Sequence, residues 1–130
     1  MGDLPMTLVD ASSWIEFLRG RDSVPGQRVK ELLVLGKAAW CEITLVELWK
    51  GARGRQEKEI LQELENELPL CPINESVWKR ARKLALTGRE NGLTVPTVDV
   101  IVAACAVTHN LELEHCDKHF NDLLPLAKSL

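Results

Sequence analysis

Thr7-Leu8-Val9-Asp10-Ala11-Ser12-Ser13-Trp14-Ile15-Glu16-Phe17-Leu18 is the stretch that decides the fold. Met6 to Val9 reads as a short buried strand that ends at Asp10. Ser12 or Ser13 can cap a helix running to about Leu18, which Gly20 stops. A strand that hands over to a helix through a single acid is an opening unit of α/β architecture. An acid at such a joint sits at the rim of a core. Burying a carboxylate is costly unless something pairs with it.

Three further acids share this apolar framing: Glu47 in Thr44-Leu45-Val46-Glu47-Leu48, Asp99 in Pro96-Thr97-Val98-Asp99-Val100-Ile101, and Asp117 after Leu111-Glu112-Leu113-Glu114. The helix expected after Asp99 is apolar on every face, which predicts its burial. The dipole of that helix offsets only about 0.3–1 kcal/mol of the cost of burying the acid. Taken singly, each acid has a plain structural role. Asp10 suits an Asx-turn or N-cap, Glu47 a solvated helix face, Asp99 a helix N-terminus and Asp117 a cap of the last helix. Taken together they would repel one another. A divalent cation with a preference for oxygen ligands is the usual way to hold such a group. The pattern therefore points to metal-dependent phosphodiester chemistry.

The rest of the chain alternates in the same way. Pro25-Gly26 marks a turn, and Val29, Leu32, Leu33 and Leu35 give helical spacing closed by Gly36. Ala38 to Cys41 reads as a second strand. A helix from about Ile43 carries Glu47 and Trp49 and ends around Gly51 to Gly54. Glu57 to Leu68 is amphipathic, and Leu70 to Ile73 reads as an edge strand. Asn74 caps a helix through Val77, Trp78, Ala81 and Leu84 that Asn91-Gly92 ends. Asp99 to Val107 is the apolar helix, Leu111 to Glu114 a strand, and Lys118 to Leu130 a short helix with a possible edge strand. This alternation predicts one α/β domain over residues 1–130, a sandwich with a central, mainly parallel sheet. In such sheets ligands bind outside the carboxyl ends of the strands. All four acids are expected there.

Composition narrows the field. The net charge of −3 excludes a polycation that coats nucleic acid. Contacts to phosphate must come from local clusters: Arg19-Gly20-Arg21 after the first helix, and Lys50, Arg53 and Arg55 after the Glu47 helix. Cys41, Cys71, Cys105 and Cys116 form no CxxC pair, and three of them sit in apolar runs, so reduced core thiols in a cytoplasmic protein are expected. The longest apolar run, Val100 to Val107, is far short of the ~20 residues of a membrane span. The first residues lack the basic start and apolar stretch of a signal peptide. Met6 stands directly before the first strand and could serve as an internal start.

In order along the chain, Leu8 to Gly20, Glu47 to Gly51, Pro96 to Ala106 and Leu113 to Phe120 resemble the four motifs of the PIN-domain family. They resemble its VapC-type toxin ribonucleases in particular. The resemblance covers essentially the whole chain and implies a three-layer α/β/α PIN-like sandwich. It implies a Mg²⁺- or Mn²⁺-dependent endoribonuclease with Asp10, Glu47, Asp99 and Asp117 as the acidic ring. Asp10 and Asp99 would be the first choice as direct ligands, and the ion would activate a water. Ser12, Arg19, Lys50, Arg53 and Arg55 are the candidates for contact with RNA. The resemblance further implies a VapB-type antitoxin seated in a groove that Trp14 or Trp49 could line, and a homodimer. The rival reading is a non-catalytic or RNA-processing module that keeps the fold and binds RNA.

The chain departs from the family at His115, where Thr or Ser often precedes the final acid. His115 can donate to Asp117. Lys118 and His119 stand where some members carry another acid, and Asp122 is expected to face solvent. His115 and His119 with Asp117 invite a zinc reading, but they cross a strand-to-helix junction, so supporting or surface roles are expected for both.

Overall fold

The computed structural model describes residues 6–130; the N-terminal residues read above as lacking a signal peptide fall outside that span. The strands are β1 (Thr7–Val9), β2 (Ala38–Ala39) and β3 (Glu112–Glu114). The helices are α1 (Ala11–Leu18), α2 (Val24–Val34), α3 (Glu42–Gly51), α4 (Gly54–Glu67), α5 (Glu75–Glu90), α6 (Thr97–Thr108) and α7 (His119–Lys128). The three strands form one parallel sheet in the order β2-β1-β3, with Leu8 opposite Ala39 on one side and Leu113 on the other.

Successive side chains of a strand point to opposite faces. Leu8 and Val9 therefore enter two different cores. Leu8 packs with Val77, Leu84, Val102, Phe120 and Leu123 of α5, α6 and α7. Val9 packs with Trp14, Val29, Trp40, Leu48 and Leu61 of α1 to α4 and the segment after β2. The result is the expected three-layer α/β/α sandwich with a wholly parallel sheet. Parallel strands need both faces covered, which explains why β1 and β2 are short apolar runs, whereas the edge strand β3 alternates acids with Leu113.

Several local expectations shift. Leu70 to Ile73 is not a strand: one parallel bridge joins Leu70 to Trp40, and Cys71 N–H donates to the Trp40 carbonyl at 2.7 Å. Pro69 and Pro72 lack the N–H groups that would extend the ladder. Pro25-Gly26 is not a turn but the first turn of α2, capped by Ser23, whose Oγ accepts from Gly26 N at 3.2 Å. Proline is suited to that position because its missing donor would be unpaired there anyway. A Cβ on Gly26 would meet the Arg21 carbonyl oxygen at 3.1 Å, so glycine lets the chain fold back closely after α1. The tail is one helix throughout. Phe120, Leu123 and Ala127 share its buried stripe, and Pro125 falls on the exposed side.

Cys41, Cys71 and Cys105 are buried free thiols, and Cys116 is exposed. Among the described residues, no helix is long and apolar enough to cross a membrane. Trp14 is fully buried against Trp40, with ring centroids 5.1 Å apart, whereas Trp49 is 37% exposed and its Nε1 donates to Glu65 at 2.8 Å. Trp14 thus belongs to the core and lines no surface groove. Trp14→Ala should lower unfolding free energy by about 3–5 kcal/mol in urea titrations. Trp49→Ala should cost less than about 1 kcal/mol, since its burial and its exposed hydrogen bond contribute little.

Candidate metal centre

The parallel sheet delivers the four acids to one edge. Asp10 leaves the carboxyl end of β1, and Asp117 follows β3. Glu47 lies on α3, which follows β2, and Asp99 lies in the first turn of α6. Asp10 and Asp99 are 3% and 7% exposed, and Glu47 and Asp117 are half-buried.

Asp10 is itself the N-cap of α1, in place of the expected Ser12 or Ser13. Its Oδ2 accepts from Ser12 N at 3.0 Å and from Ser12 Oγ at 2.6 Å. Ser12 Oγ in turn accepts from Cys116 N at 3.2 Å, so this hydroxyl ties β1 to the segment carrying Asp117. The other oxygen, Asp10 Oδ1, is buried with no partner. An unpaired buried acceptor costs about 1–3 kcal/mol. A cation at that oxygen removes the cost.

Asp99 and Asp117 are joined by a residue that sequence reasoning assigned to a supporting or surface role. His119 Nδ1 lies 2.9 Å from Asp99 Oδ2 and 3.0 Å from Asp117 Oδ1. His119 N also donates to Asp117 Oδ1 at 3.0 Å, so the capping role of Asp117 exists beside its place in the cluster. One donor atom each from Asp99, Asp117 and His119 lie within 4.8 Å of one another. The clue was the position of His119, two residues after Asp117 at a helix start, where the chain turns back towards the acids. His115 does not reach Asp117. Its ring packs on Phe120 at 4.9 Å, and its buried Nδ1 has no partner.

The electrostatics show that the acids sense one another. Burial pushes the Glu47 carboxyl up to about 7, and the charges of Asp10 and Asp99 add to the rise, which nearby Lys50 opposes. Asp99 is also raised, first by burial; its hydrogen bond to His119 pulls the other way, and the charges of Asp117 and Asp10 add to the rise. A cluster of half-buried acids that disfavours its own ionisation accommodates a divalent ion well. The carboxylate oxygens, with His119 bridging two of the acids, fit a hard divalent ion such as Mg²⁺ or Mn²⁺.

The basic residues lie to one side. Arg19, Arg53 and Arg55 line a groove of about 620 Å³ between the end of α1 and the start of α4. Arg19 and Glu57 also border a small cavity that Glu47 closes, so the groove abuts the acidic cluster. Arg55 pairs with Glu59 at 2.9 Å and Arg19 approaches Glu57 at 3.9 Å. Lys50 is exposed, one helical turn from Glu47.

The sequence profile of the PIN domain family matches residues 7–123, and the chain belongs to that family. Ribonuclease VapC11 of Mycobacterium tuberculosis is 29% identical over 120 residues, covering 89% of this chain and 90% of its own. Two solved complexes share the fold. The structure of VapBC2 from Rickettsia felis, bound to a DNA fragment from their promoter, superimposes with a TM-score of 0.75 at 17% identity, over 93% of this chain and 94% of its own. VapBC-1 from nontypeable Haemophilus influenzae gives a TM-score of 0.73 at 23% identity, over 92% and 93%.

The raised Glu47 pKa has a consequence for stability. A carboxyl whose folded pKa exceeds its unfolded value stabilises the fold fully below the unfolded value, and that stability is lost as pH climbs through about 7. Metal-free protein should therefore melt lower at about pH 8 than at about pH 5 through this group, and Glu47→Gln should flatten that slope. Mn²⁺ at a hundredfold excess over its Kd should add about 2.7 kcal/mol. Differential scanning fluorimetry across pH, with and without Mn²⁺, measures both.

Proposed function

We propose that this PIN-domain chain is a metal-dependent endoribonuclease and the toxin half of a toxin–antitoxin pair. The observation that carries the reading is the unpartnered buried oxygen of Asp10 at the edge where Glu47, Asp99 and Asp117 meet. The names of the relatives, a VapC ribonuclease and VapBC complexes, support the same class.

In this reading Asp10, Asp99, Asp117 and Glu47 hold Mg²⁺ or Mn²⁺, directly or through water. When bound, the ion supplies Lewis acidity at the phosphate and a more acidic water for attack. The protein supplies the rest. Ser12 fixes the rotamer of Asp10 through the hydrogen bond at 2.6 Å, leaving Oδ1 facing the cluster. His119 sets the spacing between Asp99 and Asp117. Glu47, half-buried on α3 within the field of Asp10 and Asp99, would complete the acidic ring directly or through water. Arg19, Arg53, Arg55 and Lys50 hold backbone phosphates on one side of the cut, which orients RNA without reading its bases. The partner is a VapB-type antitoxin. Val46, 65% exposed, and Trp49 give α3 an apolar outer face for a partner helix. A homodimer and a cytoplasmic location complete the reading.

Asp10→Asn and Asp99→Asn should each lower cleavage of RNA by more than the roughly 10–100-fold that loss of an outer-shell partner costs, and His119→Ala by that amount. Folding should survive, since neutralising one acid relieves repulsion. EDTA should stop the reaction. Cuts should leave a 5′-phosphate and a 3′-hydroxyl, and a 2′-deoxy substitution at the cut should be tolerated chemically, because attack by water leaves the 2′-OH out of the covalent step. Mass spectrometry of a short cleaved oligonucleotide reads the ends. A 2′,3′-cyclic phosphate formed in EDTA overturns the proposal.

A further inference from the structure

The acids do not use the far half of α6. Cys105 and His109 lie one helical turn apart there, six and ten residues beyond Asp99 and so about 9–15 Å along the axis. Cys71, held by its hydrogen bond to Trp40 beside β2, faces them. The Cys71 and Cys105 sulfurs are 3.7 Å apart. A ring nitrogen of His109 lies within 4.8 Å of both. The Cys41 thiol instead contacts Thr44 Oγ1 at 3.6 Å. Three ligating side chains from two separate segments therefore meet in one place, outside the acidic cluster.

We infer that Cys71, Cys105 and His109 form a second metal site, for a borderline-to-soft divalent ion of the zinc class, with a water or other external ligand as the fourth donor. Two thiolates on a tetrahedral ion at about 2.3 Å stand about 3.8 Å apart, which is the separation these sulfurs already have. The donor set is the Cys-and-His type that zinc prefers, and it is the opposite of the oxygen-rich cluster at the other end of α6. The backbone is also arranged for it. The Pro72 carbonyl lies 2.7 Å from His109 Nε2, the kind of contact that orients a ligating imidazole. Cys71 and Cys105 are 8% and 0% exposed, and half-exposed His109 gives the ion a way in.

Ligation has a proton balance. Burial raises the Cys71 thiol, and the Cys105 thiol is raised first by neighbouring Cys41 and then by burial, so the empty site holds both protonated. Each sulfur that ligates releases its proton to water, and affinity rises with pH. The bound ion ties the segment before α5 to the end of α6. It stabilises the helix on which Asp99 is mounted.

Co²⁺ is the probe. Added to the full-length protein, reduced and stripped of metal, it should give one equivalent of a sulfur-to-cobalt charge-transfer band in the near ultraviolet, with the visible bands of tetrahedral geometry. Zn²⁺ should bleach both. The bands should persist in the Asp10→Asn/Asp99→Asn double variant and in Cys116→Ser, since oxygen ligands give no such transition and Cys116 lies outside the cluster. Cys71→Ser should weaken Co²⁺ binding by more than about tenfold. His109→Gln, at a half-exposed position the core does not need, should shift the visible bands and weaken binding similarly. Circular dichroism confirms that each variant is folded. Absence of the bands in folded wild-type protein overturns the inference. So does their survival unchanged in His109→Gln, or loss of two titratable thiols on mild oxidation with no metal uptake, which would make Cys71 and Cys105 a redox pair instead.

Discussion

Parallel pairing of β1 between β2 and β3 is the constraint on which the rest of the structure depends. It aligns three carboxyl ends, so whatever follows each strand must emerge on the same edge. β1 can hold the central place because Leu8 and Val9 are each fully buried, in cores on opposite faces. Shifting β1 by one residue would exchange these faces and move Asp10 away from the edge. Packing in two cores is thus what places a charge at their common border.

Once placed, the acids are held against their own repulsion by hydrogen-bonding neighbours. Ser12 occupies one oxygen of Asp10, and His119 lies between Asp99 and Asp117. The helix starts of α1 and α6 each face one of these acids, which lowers the cost of charge there. Glu47 has no such help beyond Lys50, and it is the group whose proton affinity rises to about 7. The arrangement has one buried oxygen left over, on Asp10, so the fold carries an unmet demand at the place where charge is densest.

α6 links two kinds of chemistry. Its first turn presents a carboxylate, and its last turn presents a thiol and an imidazole. The apolar middle, from Val100 to Ala106, is buried almost completely and separates them. A helix packed this tightly is a stiff spacer, so the two ends keep their distance and their ligand types apart.

Much of this was legible in the chain. Apolar runs ending at acids marked the strands, and glycine, asparagine and serine marked most helix ends, because these signals act over a few residues through backbone geometry and capping. The family motifs, in order, singled out Asp10, Glu47, Asp99 and Asp117. Other features needed the fold. Pro25-Gly26 became a helix start because Ser23 was available to cap it, and Leu70 lost its strand because two prolines flank its neighbourhood. The role of His119 and the meeting of Cys71 with Cys105 and His109 could not be read from spacing, since their partners are tens of residues away. Sequence alone determined which groups are apolar enough to be buried and which acids must accompany them, as burial free energy is set residue by residue. Only the tertiary structure decided which buried polar groups touch, because hydrogen bonds and ligation depend on distances of a few ångströms that arise when distant segments pack together.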